Sequence, residues 1–123
     1  MSTLNVSNIS DGTTSVGTGY VVNGSAKAWA SVYYSSGTPT SNESLNLSSL
    51  SDLGTGQFGA NYTNAFANAD KCSTGIAQIN TRVICKRTAG QTVSYDEYRV
   101  YEISSTPTAD DQNGNFMVTG DLA

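Results

Sequence analysis

The chain has 123 residues, a net charge of -4 and a sequence pI of about 4.4. That length fits one domain with a modest core. The acidic balance excludes the basic footprint of a nucleic-acid binder, and the absence of histidine removes Ser–His and Cys–His chemistry.

Charged residues make up 13% of the chain, and Ser and Thr together make up about a quarter. Solubility therefore rests on hydroxyls and amides. No apolar run approaches the ~18 residues of a membrane span, so membrane insertion is not expected. The opening residues, Met1-Ser-Thr before Leu4 and Val6, lack the basic and apolar regions of a secretory signal. A route out of the cell would then be lysis or release as part of a particle.

In chain order, residues 3–9 alternate as a short strand, Asp11-Gly12 marks a turn, and 13–18 read as a loop. Tyr20-Val21-Val22 reads as a second short strand closed by the hairpin dipeptide Asn23-Gly24. Residues 1–23 thus form a first strand and a strap for attachment, and 24–123 form the main β-domain. In the strand 26–34, one face carries Ala26, Ala28, Ala30, Val32 and Tyr34. The other carries Lys27, Trp29, Ser31 and Tyr33. The alanine face invites close approach of another layer, and Trp29 is expected to anchor the core.

Residues 35–42 (SSGTPTSN) read as a loop. Leu45 and Leu47 begin the next strand, and Leu50 and Leu53 break its parity, so a bulge is expected near 49–52. Gly54-Thr55-Gly56 turns the chain. Phe58, Ala60 and Tyr62 return on one face. Trp29, Leu45, Leu47, Phe58 and Tyr62 are the expected structural residues. Residues 64–70 form a connection, 76–79 and 82–87 a hairpin, and 88–90 a turn. Residues 93–103 form the longest strand, 106–115 a loop and 116–118 a last strand. No window shows helical periodicity. The fold class is all-β, an antiparallel sandwich or barrel of about eight short strands.

If Asn80-Thr81 turns a hairpin, Cys85 faces Ile76 and Cys72 lies roughly 13 Å further along, at about 3.3 Å per residue. A disulfide needs Cα atoms within about 7 Å, so two free thiols are expected.

Chemistry is sparsely signalled. Asp96 and Glu97 are strand neighbours and point to opposite faces, which is no glycosidase pair. Asp111-x-Asn113-Gly114 shares part of a calcium-loop pattern but lacks its twelfth-position glutamate, and a plain turn is the competing reading. No catalytic residue, metal or cofactor is assigned. The seven tyrosines, with the 35–42, 87–91 and 110–115 loops, offer a candidate glycan-binding surface. Tyr33, Tyr34, Ser36, Thr38, Arg87, Asp111 and Asn113 are its candidate contacts. Ordinary strand-forming tyrosines are the plainer alternative.

The motifs GSAKAW at 24–29, LNLSSLSD at 45–52, GTG at 54–56, the aromatic strand 58–64 and NAD at 68–70 resemble a family of bacteriophage tail-fibre domains common in marine phages. Ser25 stands where the family usually has Arg, and Ala30-Ser31-Val32 replaces a Val-Asn-Phe-like segment. The resemblance is specific from Gly24 to Asp70. It implies a homotrimer, a virion protein assembled in the host cytoplasm, and attachment to a host surface glycan by binding. Its partners would be further copies of itself and a tail hub, baseplate or major capsid protein. A capsid decoration (head fibre) protein and a bacterial carbohydrate-binding module are the alternatives.

Overall fold

The structure, a computed structural model, describes residues 2–104, 106 and 108–123. Met1 of the expected strap and Pro107 of the expected 106–115 loop lie outside the described residues.

The chain is all-β and antiparallel. A small hairpin of β1 (Asn8–Ser10) and β2 (Ser15–Gly17) opens it, followed by α1 (Thr18–Gly24). Eight strands follow: β3 (Ala26–Ser35), β4 (Thr38–Leu45), β5 (Leu47–Gly54), β6 (Gln57–Tyr62), β7 (Cys72–Ala77), β8 (Arg82–Thr92), β9 (Tyr95–Glu102) and β10 (Gly114–Thr119). They form two four-stranded sheets, ordered β4-β3-β10-β7 and β5-β6-β9-β8.

The chain crosses between the sheets four times, through longer connections after β6 and after β9 and at two tight corners. Asn46 alone links β4 to β5, at φ 55°, a left-handed conformation that Asn tolerates better than most residues. Its side chain holds the corner, accepting the Asn64 N–H at 2.7 Å and donating to the Asn64 carbonyl at 3.1 Å. Residues 78–81 make the other corner, between β7 and β8.

Strand parity builds the core. Ala28, Ala30 and Val32 of β3, with Phe116 and Val118 of β10, face Phe58, Ala60 and Tyr62 of β6 and Tyr98 and Val100 of β9. The three small side chains of β3 leave room for a stack of rings. Tyr98 lies 4.7 Å from Phe116 and 5.3 Å from Phe58, centroid to centroid. These are favourable aromatic spacings that join the sheets. Phe66, from the connection after β6, closes one end edge-on to Tyr62.

The alanine face does admit another layer closely, and that layer is the facing sheet. Trp29 therefore points outward and is half-buried, which corrects its expected role as the core anchor. Leu45 is also exposed, while Leu47 packs against the core.

Other expectations change too. Residues 20–22 are helical, because no strand lies alongside them while the chain turns from β2 into β3. Residues 38–42 belong to β4, leaving only a tight turn at 36–37. β7 and β8 sit in different sheets and make no hairpin, since Cys72 pairs with Thr119 and Cys85 with Arg99. Both thiols are free and exposed, on grounds other than those expected. Residues 88–90 are a bulged part of β8, the longest strand at 11 residues, and the turn falls at Val93-Ser94. The bulges in β5, between Leu47 and Ser49 and between Asp52 and Gly54, flank the position where broken leucine parity predicts one.

Gly56 (φ 63°) is pinned under residue 110: a Cβ there would strike the Asp110 backbone. Its carbonyl accepts the Val100 N–H at 2.8 Å.

Phe58→Ala should cost about 3–5 kcal/mol of stability in urea unfolding, as expected for a buried ring, and Trp29→Ala less than half of that. Equal losses would mean that Trp29 carries core weight.

Candidate functional site

β3 and β5 run toward one end of the sandwich, and β10 starts from it, with Gly114 opposite Val32. That end gathers the 36–37 turn, the 54–56 turn and residues 108–113. Five of the seven sequence-predicted contacts meet there: Tyr34, Ser36, Thr38, Asp111 and Asn113. Tyr33 lies on the adjoining outer face, paired with Thr40. Arg87 does not join them. It sits on the outer face of the second sheet, its Nη1 2.8 Å from Glu97 Oε2.

Several of the five are occupied in holding the end together. Asp111 Oδ1 accepts the Gly56 N–H at 2.5 Å, and Asn113 Oδ1 accepts the Tyr34 N–H at 3.0 Å. Beside them, Arg82 Nε and Nη2 both lie 2.7 Å from Asp110 Oδ2. Burial, with Asp111 and Asp52 nearby, pushes the Tyr34 hydroxyl well above its ordinary pKa. Ser36 and Thr38 remain exposed. The Asp111–Asn113 oxygens thus act as ties between loop and strands. Among the described residues, no group of three His, Cys, Asp or Glu side chains could hold a metal ion.

The outer face of the first sheet carries what the sequence reading missed. Register aligns Leu45, Trp29, Met117 and Thr74 in one row across all four strands. Ile76, 68% exposed, stands beside them. Between Trp29, Met117, Thr74 and Ile76 runs an apolar groove of about 350 Å³. The signal was present in the Lys27-Trp29-Ser31-Tyr33 parity, but the core was expected on that side.

The arm before β3 is a third feature. Thr18 ties its two halves by donating to the Ser7 carbonyl at 2.9 Å. The arm has no core of its own: Leu4 is 84% and Tyr20 80% exposed, and Ile9, Val16, Val21 and Val22 are exposed too.

The interior holds the strongest electrostatic feature. Asp96 is 0% exposed. The Tyr62 hydroxyl donates to its Oδ2 at 2.7 Å. Lys71 Nζ and Lys86 Nζ lie 3.2 and 3.3 Å from its Oδ1. Lys71 also donates to the Thr92 carbonyl, and Lys86 donates to the Lys71 carbonyl at 3.2 Å. The Lys71 amine stands 5.1 Å from the Phe66 ring centroid and 5.5 Å from that of Tyr62. Burial lowers the Lys71 pKa, and Asp96 opposes that shift. Burial raises the Tyr62 hydroxyl far above its ordinary value and pushes Tyr98 up to about 12. The sequence placed Asp96 and Glu97 on opposite faces but did not show which face was the interior.

Comparison of the chain with protein-family models, with curated proteins and with solved structures finds no match.

Asp96→Ala leaves the Lys71 amine buried without its counter-charge and should cost about 3–5 kcal/mol in urea unfolding. Glu97→Ala, which breaks only the outer-face pair with Arg87, should cost less than about 1 kcal/mol. The buried tyrosines set the alkaline limit. Their folded pKa values lie above the unfolded value of 10.0, so the folded state keeps protons that the unfolded state releases. Stability is then complete below pH 10 and falls above it, by up to about 1.4 kcal/mol per pH unit for each tyrosine. Urea midpoints between pH 8 and 12 check this, and Tyr62→Phe should flatten the decline.

Proposed function

We propose that this chain is a structural, binding subunit of a tailed-phage virion: a tail-fibre-like domain, assembled as a homotrimer, that attaches the particle to the host surface. The observation that carries the reading is the arm of residues 2–25. It folds into a hairpin and a helical turn yet leaves its apolar side chains in water. Such a segment is stabilised by a second surface, as expected of a subunit that works inside an assembly.

The outer face of the first sheet is a matching need. Its row of Leu45, Trp29 and Met117, with Ile76, is apolar enough to pack against another copy. A closed three-fold ring would cover this face in every subunit. The end bearing Tyr34, Ser36 and Thr38 lies away from the arm and would be presented to a surface glycan. The motifs at 24–29, 45–52 and 54–56 supply the fibre-like part of the reading.

Two measurements test it. Sedimentation equilibrium should give the mass of three chains for the full protein, and Ile76→Lys should reduce it to one chain that still shows the β-sheet circular dichroism of a folded domain but unfolds at lower urea. A single-chain mass for the unaltered protein sinks the trimer. Gold-labelled antibody on intact virions should mark the tail. Label scattered over the head would replace the fibre reading with capsid decoration.

A further inference from the structure

The Lys71–Asp96 pair is more than a buried charge contact. Lys71 leads into β7 of the first sheet and Asp96 lies in β9 of the second. Lys71 Nζ lies 3.2 Å from Asp96 Oδ1, one of the two oxygens on the carboxyl carbon, with side chains 1% and 0% exposed. Two aromatic rings flank the amine. Among the described residues, Asp96 Oδ1 has no aligned hydrogen bond, although two amines stand beside it. A buried ion pair is costly to desolvate, whereas an amide in the same place carries no charge. Both side chains are closed off from solvent and held side by side, conditions that raise the effective concentration of an intramolecular nucleophile by orders of magnitude.

We propose that Lys71 and Asp96 condense autocatalytically into an isopeptide bond that joins the two sheets covalently. The ion pair is, atom for atom, the amide plus one water, so no co-reactant is needed. One proton passes from the Lys71 ammonium to Asp96 Oδ1, leaving a free amine and a neutral carboxyl. Burial favours that uncharged amine. Its lone pair attacks Cγ, and the C–Oδ2 π electrons move onto Oδ2. The Tyr62 hydroxyl, 2.7 Å from Oδ2, holds the developing negative charge there. The Lys86 ammonium, 3.3 Å from Oδ1, protonates that oxygen as the Cγ–Oδ1 bond breaks, and water leaves. Lys86 then takes one proton from the Lys71 nitrogen and is regenerated. Oδ2 closes back to a carbonyl.

Lys71 and Asp96 are the reacting groups, Tyr62 the oxyanion donor and Lys86 the proton relay. Neither the arm nor the trimer enters this step, so it stands or falls apart from the proposed function.

The test is the mass of the intact, denatured protein. The unaltered chain should weigh less than its sequence by one water. Trypsin should fail to cut after Lys71, and tandem mass spectrometry should show a branched peptide joining the segments that contain Lys71 and Asp96. Asp96→Asn should lose one ammonia instead of one water. Lys71→Met should show full mass, and Tyr62→Phe an increased uncondensed fraction. A full sequence mass for the unaltered protein, fresh and aged, overturns the proposal without any variant having to fold. So does a water loss that maps to Lys86 or to a succinimide at another aspartate. An unchanged condensed fraction in Tyr62→Phe would overturn the role given to Tyr62.

Discussion

A carboxylate with no exposure to water sits between the two sheets, and much of the architecture is arranged to neutralise it. Burying an anion without partners would cost several kcal/mol even after relaxation, a large share of a small domain's stability. Tyr62 reaches Asp96 from β6, Lys86 from β8 and Lys71 from the connection that leads into β7. Tyr62 and Lys86 stand on the two strands that flank β9 in its own sheet, and Lys71 comes from the connection into the first sheet, so the full set of contacts exists only when the two sheets meet. It also locks register. A one-residue slip of β9 would turn Asp96 outward, away from both amines, and put Tyr95 or Glu97 in its place. Hydrophobic burial supplies most of the folding drive, and the Asp96 cluster selects one pairing among those that burial alone would allow.

The fold class was legible because alternation survives in single strands. Phe58-Ala60-Tyr62 reads as one face of a strand, and it is one. The glycine turn at 54–56 was equally plain. What could not be read was which face of a two-sided strand meets the core. In 26–34 both faces carry apolar side chains, and the large aromatic Trp29 drew the assignment to the wrong one. The structure resolves this through partners: three bulky rings from β6, β9 and β10 need the volume that Ala28 and Ala30 leave free. That volume relation spans the chain and has no local signature.

Sheet membership was hidden for a similar reason. The stretch from 76 to 87 looks like a hairpin because turn residues separate two apolar runs. Its strands instead pair with β10 and β9, and the 78–81 corner carries the chain from one sheet to the other. The candidate contact residues were scattered in sequence over one strand end, at Tyr33 and Tyr34, and three expected loops. Five of them meet because strand direction brings the 36–37 turn and the 108–113 stretch to one end, while Arg87, midway along β8, stays on another face. The interior cluster left the faintest trace. A lysine in a connection and an aspartate in a strand look like ordinary solvated residues until topology sets them face to face.

The pairing of β3 with β10 has a mechanical consequence. Ala26, where the arm enters the sandwich, pairs with Thr119, near the last residues of the chain. A load applied between those two points would peel adjacent strands apart from one end, breaking their hydrogen bonds one after another. A load between the arm and the far end, where Tyr34 and Ser36 lie, runs along β3 itself and is carried by its covalent backbone, with no strand pair pulled apart. The same molecule is therefore weak to unzipping between its two chain ends and strong along the line that connects the arm to the exposed loops.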